Sequence, residues 1–343
     1  MRSSLILMLL AVAGLAQAAP VEGIRFTHND WTLACDNTRT CRAAGYQDED
    51  GDNLPVSVLL TRKGGPEQKV SAQLMLGQYD ETTMPARLAL QINGKDLGAL
   101  PLRDGTADLS ETQTRALLAS LARSSRIVAL GNDGRRWTVS DRGATAVLLK
   151  MDEFQGRLDT PGALVRKGTR SEAAVLPALP PPTVTLAKLV PTRPADTALA
   201  RSPALRAALA AVTSSEDCDA LAADSMLAQE GVELTVKRLG KDTLLVSMPC
   251  WRGAYNEGSG YWVTRDRAPY QPVLVTTLGG DDDGATINAA HKGRGLGDCW
   301  STKAWGWNGT AFVMTADANS GLCRLVAAGG AWEMPTLVTQ VNP

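Results

Sequence analysis

The residues best suited to chemistry lie in one short stretch, Pro249-Cys250-Trp251-Arg252-Gly253-Ala254-Tyr255-Asn256. Trp and Tyr offer rigid rings for stacking, and Arg and Asn offer directional hydrogen bonds. Binding surfaces favour these types because they give much contact for little lost side-chain entropy. A second, glycine-rich stretch from Lys292 to Asp298 adds Arg294 and Asp298 just before Cys299. Each stretch abuts a cysteine, so a disulfide would hold it rigid. Trp251, Arg252, Tyr255, Asn256, Arg294 and Asp298 are therefore the candidate binding residues, and the chemistry is recognition. A second reading stands beside this one. Six of the eight tryptophans (251, 262, 300, 305, 307 and 332) fall in the C-terminal half, where a disulfide-tied β-domain could use its indoles as core.

Catalytic signatures are missing. There is no G-x-S-x-G, H-E-x-x-H, Walker loop or Rossmann fingerprint, and Gly258-Ser259-Gly260 copies only half of a nucleophile elbow. A Ser/His/acid triad would have to use His28 or His291, the two histidines of the chain. Glu257 with Asp298 as a glycosidase pair meets no spacing rule. No catalytic residue is assigned. Asp281-Asp282-Asp283-Gly284 is oxygen-rich, but on the EF-hand template Gly279 and Ala290 occupy the first and last ligand positions, so it reads as a solvated acidic turn. No C-x-x-C occurs, and neither a metal nor a cofactor is expected.

The formal net charge of −1 gives no footprint for nucleic acid. Arg2, the apolar run Leu5 to Leu15 and Ala16-Gln17-Ala18 read as a signal peptide over residues 1–18, too short to span a bilayer. No second apolar stretch could span one. We expect a soluble, periplasmic protein. Cys35, Cys41, Cys218, Cys250, Cys299 and Cys323 fit that compartment as disulfides. Six cysteines allow fifteen pairings, which sequence cannot separate; locality favours 35–41, 218–250 and 299–323.

Several elements must position these residues. Period-two runs (Val56, Val58, Leu60; Leu88, Leu90, Ile92) predict strands in the N-terminal half, with Asn93-Gly94 as a hairpin turn. Ser110 with Gln113 is a capping box for one helix, and Ser140 or Asp141 could cap a second through Phe154. Six prolines between Pro177 and Pro194 predict a stiff linker. Beyond it, a helix from about Pro203 to Val212 precedes alternating strands. Asn308-Gly309 predicts a two-residue type I′ turn that pairs Trp307 with Thr310 and Trp305 with Phe312, so that two indoles and a phenyl share a face. The expected architecture is an α+β N-terminal domain (residues 19–175, a β-sandwich-like sheet with two helices), a linker (176–200) and a mainly β, meander-type C-terminal domain (201–343), all disulfide-stapled.

In this frame Phe26, Trp31, Cys35-Asp36-Asn37, Cys41 and Gly45-Tyr46 with their spacings, the Cys250 to Asn256 loop, the Lys292 to Cys299 loop, and Gln155-Gly156-Arg157 before Ala163-Leu164-Val165 resemble the proteobacterial family called domain of unknown function 1176. The N-terminal half is also similar, more faintly, to the invasion-associated locus B family of exported proteins. The resemblance implies a periplasmic protein without an assigned activity, and brings no catalytic residue. Trp300 departs from the glycine expected after Cys299. The reading is a non-enzymatic binding module for an envelope component or another exported protein; the alternative is a hydrolase or inhibitor acting on cell-wall polymers.

Overall fold

A computed structural model describes residues 21–51, 53–77, 83–222 and 224–343. The signal peptide predicted over residues 1–18 lies outside them. In chain order the elements are β1 (Ile24–His28), β2 (Trp31–Cys35), β3 (Cys41–Tyr46), β4 (Val56–Arg62), β5 (Ser71–Leu76), β6 (Leu88–Ile92), β7 (Lys95–Leu100), β8 (Thr106–Asp108), α1 (Glu111–Leu121), β9 (Ile127–Gly131), β10 (Arg136–Val139) and α2 (Ala144–Phe154). Next come β11 (Thr183–Thr185), α3 (Pro194–Ala198), α4 (Pro203–Ala210), α5 (Met226–Gln229), β12 (Thr235–Arg238), β13 (Thr243–Arg252), β14 (Glu257–Arg265) and β15 (Val273–Gly279). The chain closes with β16 (Asp281–Asp282), β17 (Thr286–Lys292), β18 (Trp300–Trp307), β19 (Phe312–Asn319), β20 (Met334–Leu337) and β21 (Gln340–Asn342). It is mainly β, built from antiparallel sheets.

The first sheet runs β1-β2-β3-β4-β5-β8 and the second β10-β9-β6-β7. Between them, with α1 and α2, lies a core of Trp31, Leu33, Val58, Leu60, Leu74, Leu90, Leu117 and Val147. Asn93 and Gly94 both have positive φ (52° and 80°), and Ile92 faces Lys95, the two-residue turn that Asn-Gly predicts. The capping box of Ser110 and Gln113 forms in full. The second helix starts later than expected, with Gly143 (φ 96°) as its N-cap. Both proposed caps are engaged elsewhere: the Ser140 hydroxyl donates to Asp30, and the Asp141 carboxylate accepts from the Ser125 amide.

β2 is buried on both faces, unlike a strand with one solvated side. Its outer face carries Ala34, which with Ala44, Tyr46 and Leu59 packs against Val326, Ala331 and Met334 from the far end of the chain. Polar ties reinforce the seam. The Leu322 amide donates to the Tyr46 hydroxyl (3.1 Å), Trp332 Nε1 to Ser57 Oγ (2.7 Å), and Asn37 exchanges two bonds with Val338. Burial pushes the Tyr46 phenol well above its ordinary pKa.

The C-terminal half is a sandwich of two meanders, β12-β13-β14-β15 and β16-β17-β18-β19-β20. Leu245 and Tyr261 of one face Ile287, Ala289, Trp305 and Trp307 of the other. The outer side of the first meander packs Val246, Met248 and the fully buried Trp262 against Leu205 and Leu209 of α4. The Asn308-Gly309 hairpin differs from its predicted register: Trp307 faces Phe312 and Trp305 faces Met314. Asn308 Oδ1 accepts from the amides of Thr310 and Ala311 (3.0 and 2.9 Å), an Asx turn that holds a four-residue loop instead of a two-residue one. Because the partner strand slips by two residues, the side chains keep their faces, and the Trp307 and Phe312 rings lie 5.4 Å apart. The Pro-rich stretch is mostly exposed, yet β11 pairs in parallel with β21.

Disulfides join Cys35 to Cys41, Cys218 to Cys250 and Cys299 to Cys323. The middle one closes a separation of 32 residues and the first a separation of six. Loop-closure entropy then predicts a loss of about 4 kcal/mol for the double serine variant at 218 and 250, against about 2 kcal/mol at 35 and 41. Urea midpoints of the two variants check the order, and a larger loss at 35 and 41 would contradict it.

Candidate functional site

The two glycine-bearing loops meet. β13 carries a bulge between Pro249 and Trp251, and Arg252 then pairs with Glu257 across a tight return closed by the Gly253 amide on the Asn256 carbonyl (2.7 Å). The Cys218 disulfide anchors the start of this loop, and the Cys323 disulfide anchors the end of the other. Asn256 joins them: its Nδ2 donates to the Lys292 carbonyl and its Oδ1 accepts from the Lys292 amide, both at 2.9 Å. Tyr255 is 48% exposed, and its ring lies against Gly295.

Trp251 is half-buried, its Nε1 donating to the Thr277 carbonyl at 2.8 Å. Its indole lies flat over Gly258, where a Cβ would come within 2.4 Å of the ring, so glycine is required at that cross-strand position. The other neighbour of the indole is His291, with ring centroids 5.4 Å apart. His291 Nε2 in turn lies 3.2 Å from the Glu257 carbonyl.

Arg294 and Asp298 have a different character. The guanidinium grips the carboxylate at both oxygens, Nε to Oδ1 at 2.7 Å, and the Leu325 amide adds a bond to Oδ2 at 2.7 Å. Burial would raise the Asp298 pKa, but the bonds from Arg294 and Leu325 outweigh it and hold the carboxyl below its ordinary value. Asp298 is buried and acts here as a tie that shapes the loop. The Arg294 side chain remains 40% exposed. Arg252 is exposed, with Glu230 and Glu257 each 3.8 Å away. Asp298, Cys299 and Cys323 cluster within 4.8 Å, but both sulfurs are bonded to each other and cannot act as thiolate ligands.

The structure brings Trp251, Tyr255, Asn256, Arg294 and Asp298 onto one loop pair. It also adds neighbours that sequence reasoning left out. Lys292 sits 5.6 Å over the Trp300 ring, whose Nε1 donates to the Gly297 carbonyl (3.0 Å). Trp300, in place of the expected glycine, thus closes the Gly293 to Gly297 loop. Leu296 is 55% exposed beside them. The period of β17 could have flagged Lys292 as the end of a strand, but its partner Asn256 lies 36 residues away, beyond any local pattern. The tryptophans divide between the two readings: Trp262, Trp305 and Trp307 are core, Trp332 packs in the seam, and Trp251 and Trp300 are half-exposed.

A family model described as "Protein of unknown function (DUF1176)" matches residues 25–339. The chain is similar to "Uncharacterized protein YpfG" of Escherichia coli (strain K12), 24% identical over an alignment 364 positions long that covers 96% of this chain and 95% of that protein. No solved structure matches.

Proposed function

Since the chain belongs to the DUF1176 family, we propose that it is an exported, periplasmic binding protein whose recognition surface is the loop pair 251–257 and 291–297. The observation that carries this reading is the Asn256–Lys292 pairing. It sets Trp251, Tyr255, His291 and the cations of Arg252, Lys292 and Arg294 on one disulfide-anchored surface. Such a surface loses little entropy on contact, and aromatic rings with Arg are the side chains that dominate binding energy. Export is supported by the signal-like start and by three disulfides. The partner would be an envelope component or another exported protein.

The test is capture from periplasmic extract with the chain from residue 19 as bait. A Tyr255→Ala/Arg252→Ala variant should lose the captured species while keeping the melting temperature of the parent. Retention of that species by the double variant would reject this surface.

The reading also divides the chain at residues 176–200. Separate cores on either side support the division, and the seam of Tyr46, Val326 and Met334 would dock the halves. Limited trypsin treatment should cut first at the exposed Lys188, since the Arg193 bond is shielded by Pro194. The two fragments should co-elute on gel filtration; first cuts elsewhere would move the boundary.

A further inference from the structure

A cavity of about 480 Å³ opens in the N-terminal half, within the size range of small-molecule sites. Its walls are mostly apolar, with Val70, Leu118 and Leu164 among them, and Arg62 and Glu172 line it together with Glu67, Lys69, Glu111 and Arg115. Arg62, at the end of β4, is 5% exposed. Its Nε donates to the Gln68 carbonyl (2.8 Å) and its Nη1 to the Gly162 carbonyl (2.9 Å). Nη2 has no partner among the described residues. Glu172 accepts from the Gly162 amide on Oε1 (2.7 Å), and its Oε2 makes no hydrogen bond but faces Arg157 Nη1 at 3.7 Å.

The guanidinium and the carboxylate thus grip the two ends of one residue's backbone, and sit a residue's width apart. Gly162 is required for this, because a Cβ there would lie 2.5 Å from Glu172 Oε1. Behind them the buried Asp152 and Arg157 complete a quartet of charges. Asp152 Oδ1 lies 3.7 Å from Arg62 Nη1 and Arg157 Nη1 3.7 Å from Glu172 Oε2, ion pairs too long to be hydrogen bonds, so Asp152 Oδ1 and Arg157 Nη1 also make none. Unmade bonds at buried charged atoms are costly and call for an explanation. Burial, with the charge of Arg157, pulls the Arg62 pKa down to about 10, which leaves it protonated at neutral pH. Burial would raise Glu172, but bonds from Thr160 and the Gly162 amide outweigh it and keep the carboxylate ionised. The rim pair Lys69–Glu111 (3.1 Å) is closed on itself.

A cation and an anion this close, in an apolar pocket, complement a ligand that carries both charges on one carbon. We propose that this cavity binds a free α-amino acid with an apolar side chain, its carboxylate on Arg62 and its ammonium facing Glu172. A simple carboxylate would leave Glu172 opposed, and a peptide would carry its two charges too far apart.

Titration calorimetry of the full chain from residue 19 tests this with L-leucine, N-acetyl-L-leucine and L-leucinamide. Leucine should bind saturably at one site, and each blocked form should bind at least about tenfold more weakly, the factor expected for one lost charged contact. Glu172→Gln should weaken leucine and leave N-acetyl-leucine unchanged. Because the ligand series needs only the wild-type chain, a variant that fails to fold leaves the test intact. No saturable heat from leucine, methionine or phenylalanine at millimolar concentration would overturn the proposal. So would N-acetyl-leucine or decanoate binding as tightly as leucine.

Discussion

Replacing Arg324 with alanine should destabilise the protein by about 3–5 kcal/mol, the usual cost of stripping one partner from a buried ion pair. Arg324 is 9% exposed and Asp30, its partner in the turn between β1 and β2, is 3% exposed. The guanidinium reaches Asp30 Oδ1 at 3.0 Å and Glu49 Oε2 at 2.6 Å. Asp30 keeps only the Ser140 hydroxyl on its other oxygen (2.7 Å), so the variant leaves a buried carboxylate without its cation. The same residue also offers its carbonyl to Gln47 Nε2 (2.8 Å). Loss of the pair therefore loosens the seam between the C-terminal segment and the first sheet. Urea unfolding measures the effect; a change below about 1 kcal/mol, the range of exposed pairs, would mean that the seam does not depend on this contact.

The second large effect separates two neighbours in the loop pair. Trp251→Ala should cost about 3 kcal/mol, the lower end for a large buried aromatic, because half of the indole packs against Gly258 and its N–H bonds to Thr277. Tyr255→Ala should stay within about 0.5 kcal/mol, as for surface positions, since its ring is 48% exposed. Thermal melts of both variants decide it. An equal, large loss in both would make the loop pair part of the core and remove it as a recognition surface.

These contrasts show which parts of the molecule were legible from residues alone. Asn93-Gly94, the Ser110–Gln113 box and the period-two runs act through neighbours within a few positions, and their structures follow. The Cys35–Cys41 pair, six residues apart, follows the same logic, whereas the other two, 32 and 24 residues apart, were expected only from a preference for locality. The Asn308 loop failed by two residues because a side-chain oxygen competes for the amides that a two-residue turn would use. Ser140 failed as a helix cap because Asp30, 110 positions away, claims its hydroxyl. The burial of Asp298 was invisible in a glycine-rich loop: its tie to the Leu325 amide spans 27 residues. Nothing local predicts that β2 is covered on both faces, since the cover comes from residues 326–334. Gln155 and Arg157 stand out in the sequence as part of a family pattern, and in the fold they are wholly buried. Gln155 bonds to the Arg39 and Arg62 carbonyls, and Arg157 to Gln155 and the Lys63 and Gly65 carbonyls.

The central claim is that partners dock on the loop pair. Site-specific photo-crosslinking from position 255 in intact cells tests it most directly, with the exposed Arg136 on β10 as the control position. A discrete adduct is expected from position 255 and none from position 136. No adduct from position 255, or the same adducts from both positions, would contradict it.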